Sequence, residues 1–139
     1  MPHLLPLVVG SVLAVLAFGQ APSTVPALLV SLSGEARVVL IDPDSGRQLK
    51  AFQVRQGPHE IALDRAGRVA YVATPGSAAE RSSSVSAVDL WSESAVRHLD
   101  VAPRRQPHDA RVSADGSLVW VACAPDRAAW STSTARWIA

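Results

Sequence analysis

An all-β fold of repeated four-stranded antiparallel sheets is what the sequence predicts, and three observations predict it. One stretch is written twice, PHEIALDRAGRVAYVA from Pro58 to Ala73 and PHDARVSADGSLVWVACA from Pro107 to Ala124. The spacing is fixed: His59 to His108 and Gly67 to Gly116 are each 49 residues. From Ala27 onward short β-type runs are separated by turn residues, and no 3.6-residue periodicity is long enough for a helix. Strand-built repeats of roughly 40 to 50 residues are the mark of propeller blades, so the expected architecture is a partial β-propeller.

The elements follow in order. ALLVSLS (27–33) and ARVVLID (36–42) read as strands joined at Gly34-Glu35, and Pro43-Asp44-Ser45-Gly46 is a turn sequence. In RQLKAFQV (47–54) Leu49 and Ala51 alternate with Gln48 and Lys50, which predicts a half-buried strand with Leu49 and Ala51 on its core face. HEIALD (59–64), a turn closed by Gly67, and RVAYVAT (68–74) form the first long copy. A polar loop is expected over PGSAAERSSS (75–84), and SVSAVDL (84–90) with AVRHLDV (95–101) completes four strands. The second copy adds HDARVS (108–113), a turn closed by Gly116, and SLVWVACA (117–124). Beyond it the alternation stops. The expected count is therefore three strands, then four, then two.

Composition bounds the function. The chain has 139 residues, 48% hydrophobic and 18% charged, which suits one modest globular core. Thirteen Lys and Arg against twelve Asp and Glu leave a net charge of +1, so no strong field attracts nucleic acid or anionic lipid. Arg104-Arg105 is an isolated pair in a solvated loop. Cys123 is the single cysteine, which excludes an intrachain disulfide and a cysteine-cluster metal site, and its apolar surroundings predict inert packing.

Leu4 to Phe18 is an uncharged, mostly apolar run of 15 residues, shorter than the roughly 20 that span a bilayer as a helix. It ends in Ala17-Phe18-Gly19, followed by Gln20, Pro22 and Pro26. Residues 1–19 are therefore expected to be a helical signal peptide, with an uncleaved anchor as the alternative, and 20–26 a linker. An extracytoplasmic product, periplasmic or secreted and without a stable membrane span, is the expectation.

The repeat resembles the YVTN-type β-propeller family. The residues that carry the resemblance are Pro58 with Ala62, the Asp64–Gly67 turn, Tyr71-Val72-Ala73-Thr74 and Val85–Asp89. The second copy carries it through Pro107, Asp115-Gly116 and Trp120-Val121-Ala122-Cys123, and Asp42 closes the matching strand of a preceding blade. Thr74 and Cys123 stand where that pattern has Asn, and Arg111 where it has Ala. The resemblance covers roughly 27–126 and implies a propeller; it implies little about activity, because propeller function sits in loops and channel residues.

Propellers close with about 4 to 8 blades, so 27–126 is expected to be an incomplete set with open edges through which copies self-associate. The tail RAAWSTSTARWIA (127–139) is read as aberrant. Back-translating Ala129–Ile138 with GC-rich codons and dropping two bases yields VVDIDSAVD, similar to VVLIDPDSG at 38–46. That predicts a frame slip or truncation in a longer propeller gene.

The candidate chemistry lies in His59, Glu60, His108 and Asp109. Innermost strands border a propeller's channel, so equivalent histidines from successive blades should converge near its mouth and, with their acidic neighbours, hold a ligand or a metal. The competing and commoner role for a repeated residue is blade geometry, each imidazole bonding a neighbouring blade. Asp42, Asp64, Asp89 and Asp115 are read as turn caps. Tyr71 and Trp120 are read as core packing, and His98 as exposed on an outer strand. No nucleophile elbow, phosphate-binding loop, dinucleotide fingerprint or His-Glu-x-x-His pair occurs, so no cofactor is expected. The expected function is a non-enzymatic binding module for a protein or small ligand on the channel face. The alternative is a propeller enzyme of lactonase or quinoprotein-dehydrogenase type with its site at the channel mouth.

Overall fold

The computed structural model describes residues 26–92, 96–124 and, as backbone, 131–136. The expected signal helix and most of the linker lie outside the described residues. Three antiparallel sheets follow one another along the chain. The first is β1 (Leu28–Leu32), β2 (Arg37–Ile41) and β3 (Gln48–Gln53), in the order β1-β2-β3. The second is β4 (Ile61–Leu63), β5 (Val69–Gly76), β6 (Arg81–Asp89) and β7 (Val96–Asp100), a complete meander in sequence order. The third is β8 (Pro107–Val112), β9 (Leu118–Cys123) and β10 (Ser131–Arg136). Among the described residues no helix is long and apolar enough to cross a membrane.

The second sheet is buried on both faces, and the period-2 pleat explains how. Ala70, Val72 and Val88 pack with Val38, Phe52 and Val54 of the first sheet side. Tyr71, Val85 and Ala87 pack the opposite way, against Ala110, Val119, Val121 and Cys123 of the third sheet. Sheets stacked face to face in chain order, each an antiparallel meander, constitute a partial propeller. Cys123 is 1% exposed within this packing, as an inert thiol should be.

Four features differ from the sequence reading. In β3 the core face carries Phe52, with Val54 just beyond the strand, while Leu49 is 38% exposed and Ala51 faces solvent. A register shift between Leu40 and Ile41 accompanies this. Phe52 and Val54 bury more apolar surface than Leu49 and Ala51, and Lys50 shares their face because its Nζ reaches the Leu90 carbonyl at 3.3 Å.

Residues 75–84 are mostly strand rather than loop. Thr74 is fully buried and its Oγ1 donates to the Ser84 carbonyl at 2.6 Å, while Ser77 N donates to the Glu80 carbonyl at 2.8 Å to close the hairpin. With Ser84 N donating to Ser82 Oγ at 3.1 Å, side-chain hydroxyls satisfy a strand end that composition alone reads as loop.

The third difference is β10. Ser131–Arg136 pairs with Cys123–Leu118, making a third strand where alternation is absent. Backbone groups of an open edge recruit a strand without needing a side-chain pattern. The fourth is Trp120, 46% exposed where its repeat equivalent Tyr71 is 6% exposed. Tyr71 faces the third sheet and Trp120 the opposite side of that sheet, on which no described residue packs as a further blade.

The aspartates cap turns as expected. Asp42 accepts from Ser45 Oγ at 2.7 Å and Asp64 from Arg68 N at 2.7 Å. Asp115 accepts from Ser113 Oγ at 2.6 Å and Ser117 Oγ at 2.7 Å, and these hydroxyls lower its pKa from 3.8 to about 2. The unfolded chain therefore binds its proton first on acidification. The contribution of this turn is complete above about pH 4 and is lost as pH falls from there towards about 2. Asp115→Asn is expected to flatten the pH dependence of chemical-denaturation midpoints in that window, and an unchanged slope would refute the assignment.

Candidate functional site

Two fully buried prolines, Pro58 and Pro107, anchor the starts of the inner strands. After Pro58 the ladder of β4 begins early: His59 N donates to the Ala73 carbonyl at 2.9 Å, and Ala73 N to the Glu60 carbonyl at 3.0 Å. After Pro107 the pairing of β8 with β9 is irregular between Pro107 and Asp109, which places His108 at a bulge. Because β4 and β8 lie side by side, the two histidines meet. Their rings stack with centroids 4.1 Å apart and planes at 28°.

Glu60 joins them through a contact between its Oε2 and Nδ1 of His59. Burial pushes the Glu60 carboxyl up, but the hydrogen bond and charge of His59 outweigh it and hold the group below its ordinary range. One nitrogen from each imidazole and one Glu60 oxygen all lie within 4.8 Å of one another. His59 and Glu60 are open to solvent, with side chains 43% and 44% exposed, and His108 is half-buried. The surface so formed offers imidazole nitrogens and one carboxylate.

Three of the four candidate residues are thus brought together, and Asp109 is not. Its Oδ1 accepts from Ala110 N at 2.7 Å and from Arg111 Nη1, which draws the carboxylate along its own strand. The departure of Arg111 from the repeat pattern supplies that cation. His98 is exposed on β7, as expected, with Nδ1 3.1 Å from Ser86 Oγ; burial first, and then the charge of Arg55, lower its pKa.

Two features escaped the sequence reading. Asp89 caps a turn through Trp91 N at 3.0 Å, but it also binds Arg68 Nη2 at 2.8 Å, and Arg68 lies 5.5 Å from the Trp91 ring. The hydrogen bond from Arg68 is the main reason the Asp89 carboxyl sits below its ordinary range. Only the cross-strand register, Val69 opposite Asp89, brings these three together. The second feature is an open cleft of about 380 Å³ lined by Arg55, Arg81, Glu80, His98 and Asp100, whose charges largely balance.

No family model matches the sequence, and no curated protein matches it. The fold does have solved counterparts. Hydrazine synthase from Kuenenia stuttgartiensis superposes with a TM-score of 0.60 at 26% identity, over 70% of this chain and 26% of that one. Dihydro-heme d1 dehydrogenase NirN, in complex with DHE, superposes with a TM-score of 0.57 at 24% identity, over 70% of this chain and 20% of that one. This chain spans about a quarter or less of each. Both counterparts carry the propeller architecture, and together with the stacked meanders they establish a propeller-like fold.

Proposed function

We propose that the chain is part of an exported YVTN-type propeller that acts as a binding module, taking a small cationic ligand where His59, Glu60 and His108 meet. The observation that carries this reading is the stacked pair of imidazoles from repeat-equivalent positions with a carboxylate on one of them. The Glu60 carboxylate supplies oxygen acceptors and one negative charge beside the two imidazoles, which favours a cation over an anion. The inner-strand starts are also where propellers expose residues to the channel. Export is supported by the apolar run Leu4–Phe18 and the small residues that close it.

Imidazole-resolved NMR of the full chain tests the site, with methylammonium and inorganic phosphate as probes. The expected result is that methylammonium moves the His59 and His108 signals, leaves His98 unmoved, and outcompetes phosphate. Equal response of all the histidines, or none at His59 and His108, would overturn the reading.

A further inference from the structure

We infer that His59, His108 and Glu60 form a binding site for a divalent transition-metal ion of the zinc class, a conclusion that rests on the channel-end reading above and specifies its ligand. The donor set is two imidazoles and one carboxylate. Imidazole nitrogen suits zinc, copper, iron and nickel, whereas magnesium and calcium prefer oxygen throughout. Two histidines with one carboxylate are also a known three-ligand zinc set that leaves a fourth position open.

The geometry is close to what such an ion requires. With bonds of about 2.0–2.2 Å, tetrahedral ligand atoms stand roughly 3.4 Å apart. Here the three atoms already lie within 4.8 Å of one another. The remaining closure falls on side chains free to make it, since His59 and Glu60 are both more than two-fifths exposed. The rings stack with centroids 4.1 Å apart and planes at 28°, so the two imidazoles are already held side by side. Backbone position is set independently by Pro58 and Pro107, both fully buried, and by the ladder bonds of His59 and Glu60 to Ala73. The hinge-free part of the site is therefore its backbone, and the adaptable part is its donors.

The ligands come from two different sheets, with His59 and Glu60 ahead of β4 and His108 in β8. A bound ion would bridge the sheets at their inner edge, and binding to the folded form alone raises stability by mass action. Stack-only locking of the blades makes no such prediction.

The test is zinc titration of the full chain by isothermal calorimetry, with magnesium and calcium as controls and cobalt substitution read by visible absorption. One zinc per chain is expected, with a raised melting temperature and no heat from magnesium or calcium. His59→Ala, His108→Ala and Glu60→Gln should each weaken zinc binding at least about tenfold, while His98→Ala leaves it unchanged. Glu60→Gln is near-isosteric at an exposed position, so it keeps the fold even where a histidine variant does not, and circular dichroism melts verify each variant. No zinc binding by the folded chain, or zinc binding untouched by Glu60→Gln and the histidine variants, overturns the inference. If methylammonium still moves His59 and His108 in a chain that binds no zinc, the metal assignment alone falls; if neither probe engages them, the channel-end reading falls too.

Discussion

Replacing Gly57 with alanine is expected to destabilise the chain by about 2–5 kcal/mol and to lower its chemical-denaturation midpoint sharply. Gly57 is buried with φ +69°, and a Cβ built there meets the Gly76 carbonyl oxygen at 2.1 Å and its carbon at 3.1 Å. That neighbour is backbone at the end of β5, held in place because Gly76 N donates to the Gln56 carbonyl at 3.1 Å. It cannot rotate away as a side chain would. The left-handed conformation alone costs a non-glycine residue roughly 1–2 kcal/mol, and overpacking adds about 1–3 kcal/mol. Against a whole-domain stability of about 5–15 kcal/mol, that is a large share. The repeat provides its own control. Gln106 stands 49 residues later with φ 53°, in the same strained conformation but with a side chain already accommodated. Gln106→Gly should relieve the strain and stabilise by about 1 kcal/mol. Chemical-denaturation midpoints moving in opposite directions for the two variants would bear this out; a Gly57→Ala chain as stable as the parent would refute it.

That control also shows what was legible in the sequence. The 49-residue spacing located both inner strands, their turns and the two histidines, because a propeller repeats its backbone and the backbone places His59 beside His108. Asp109 stands apart from the other three for a side-chain reason: an arginine two positions on holds the carboxylate, and no spacing rule foresees a contact that depends on rotamer reach. Lys50 and Phe52 show a second limit. Which face of β3 turns inward depends on the summed burial of Phe52 and Val54 and on a carbonyl at Leu90, 40 residues away. Ser82–Ser84 reads as loop by composition, yet its hydroxyls serve the strand end. Residues 131–136 show the converse, a strand with no alternation because the edge of β9 supplies the partner. Alternation reports burial, so it is silent where pairing alone holds a strand.

The clearest separation of repeat position from environment is Tyr71 against Trp120, and it leads to the second large expected effect. The two occupy the same place in successive copies, yet Tyr71 is 6% exposed between the second and third sheets and Trp120 is 46% exposed on the far side of the third. Truncating a buried aromatic removes its transfer free energy and leaves a cavity between sheets, so Tyr71→Ala should cost about 3–5 kcal/mol. Trp120→Ala removes an aromatic that water already reaches and should stay within about 0.5 kcal/mol of the parent. An exposed tryptophan on an open blade face, flanked by half-buried Leu118 and Ala122, is also the place where another sheet would pack. Trp120→Ala should therefore reduce concentration-dependent association in sedimentation velocity while leaving the melt intact, and Tyr71→Ala should do the reverse. Equal losses of stability at the two positions would mean that the third sheet is covered as the second is, and that Trp120 is core after all.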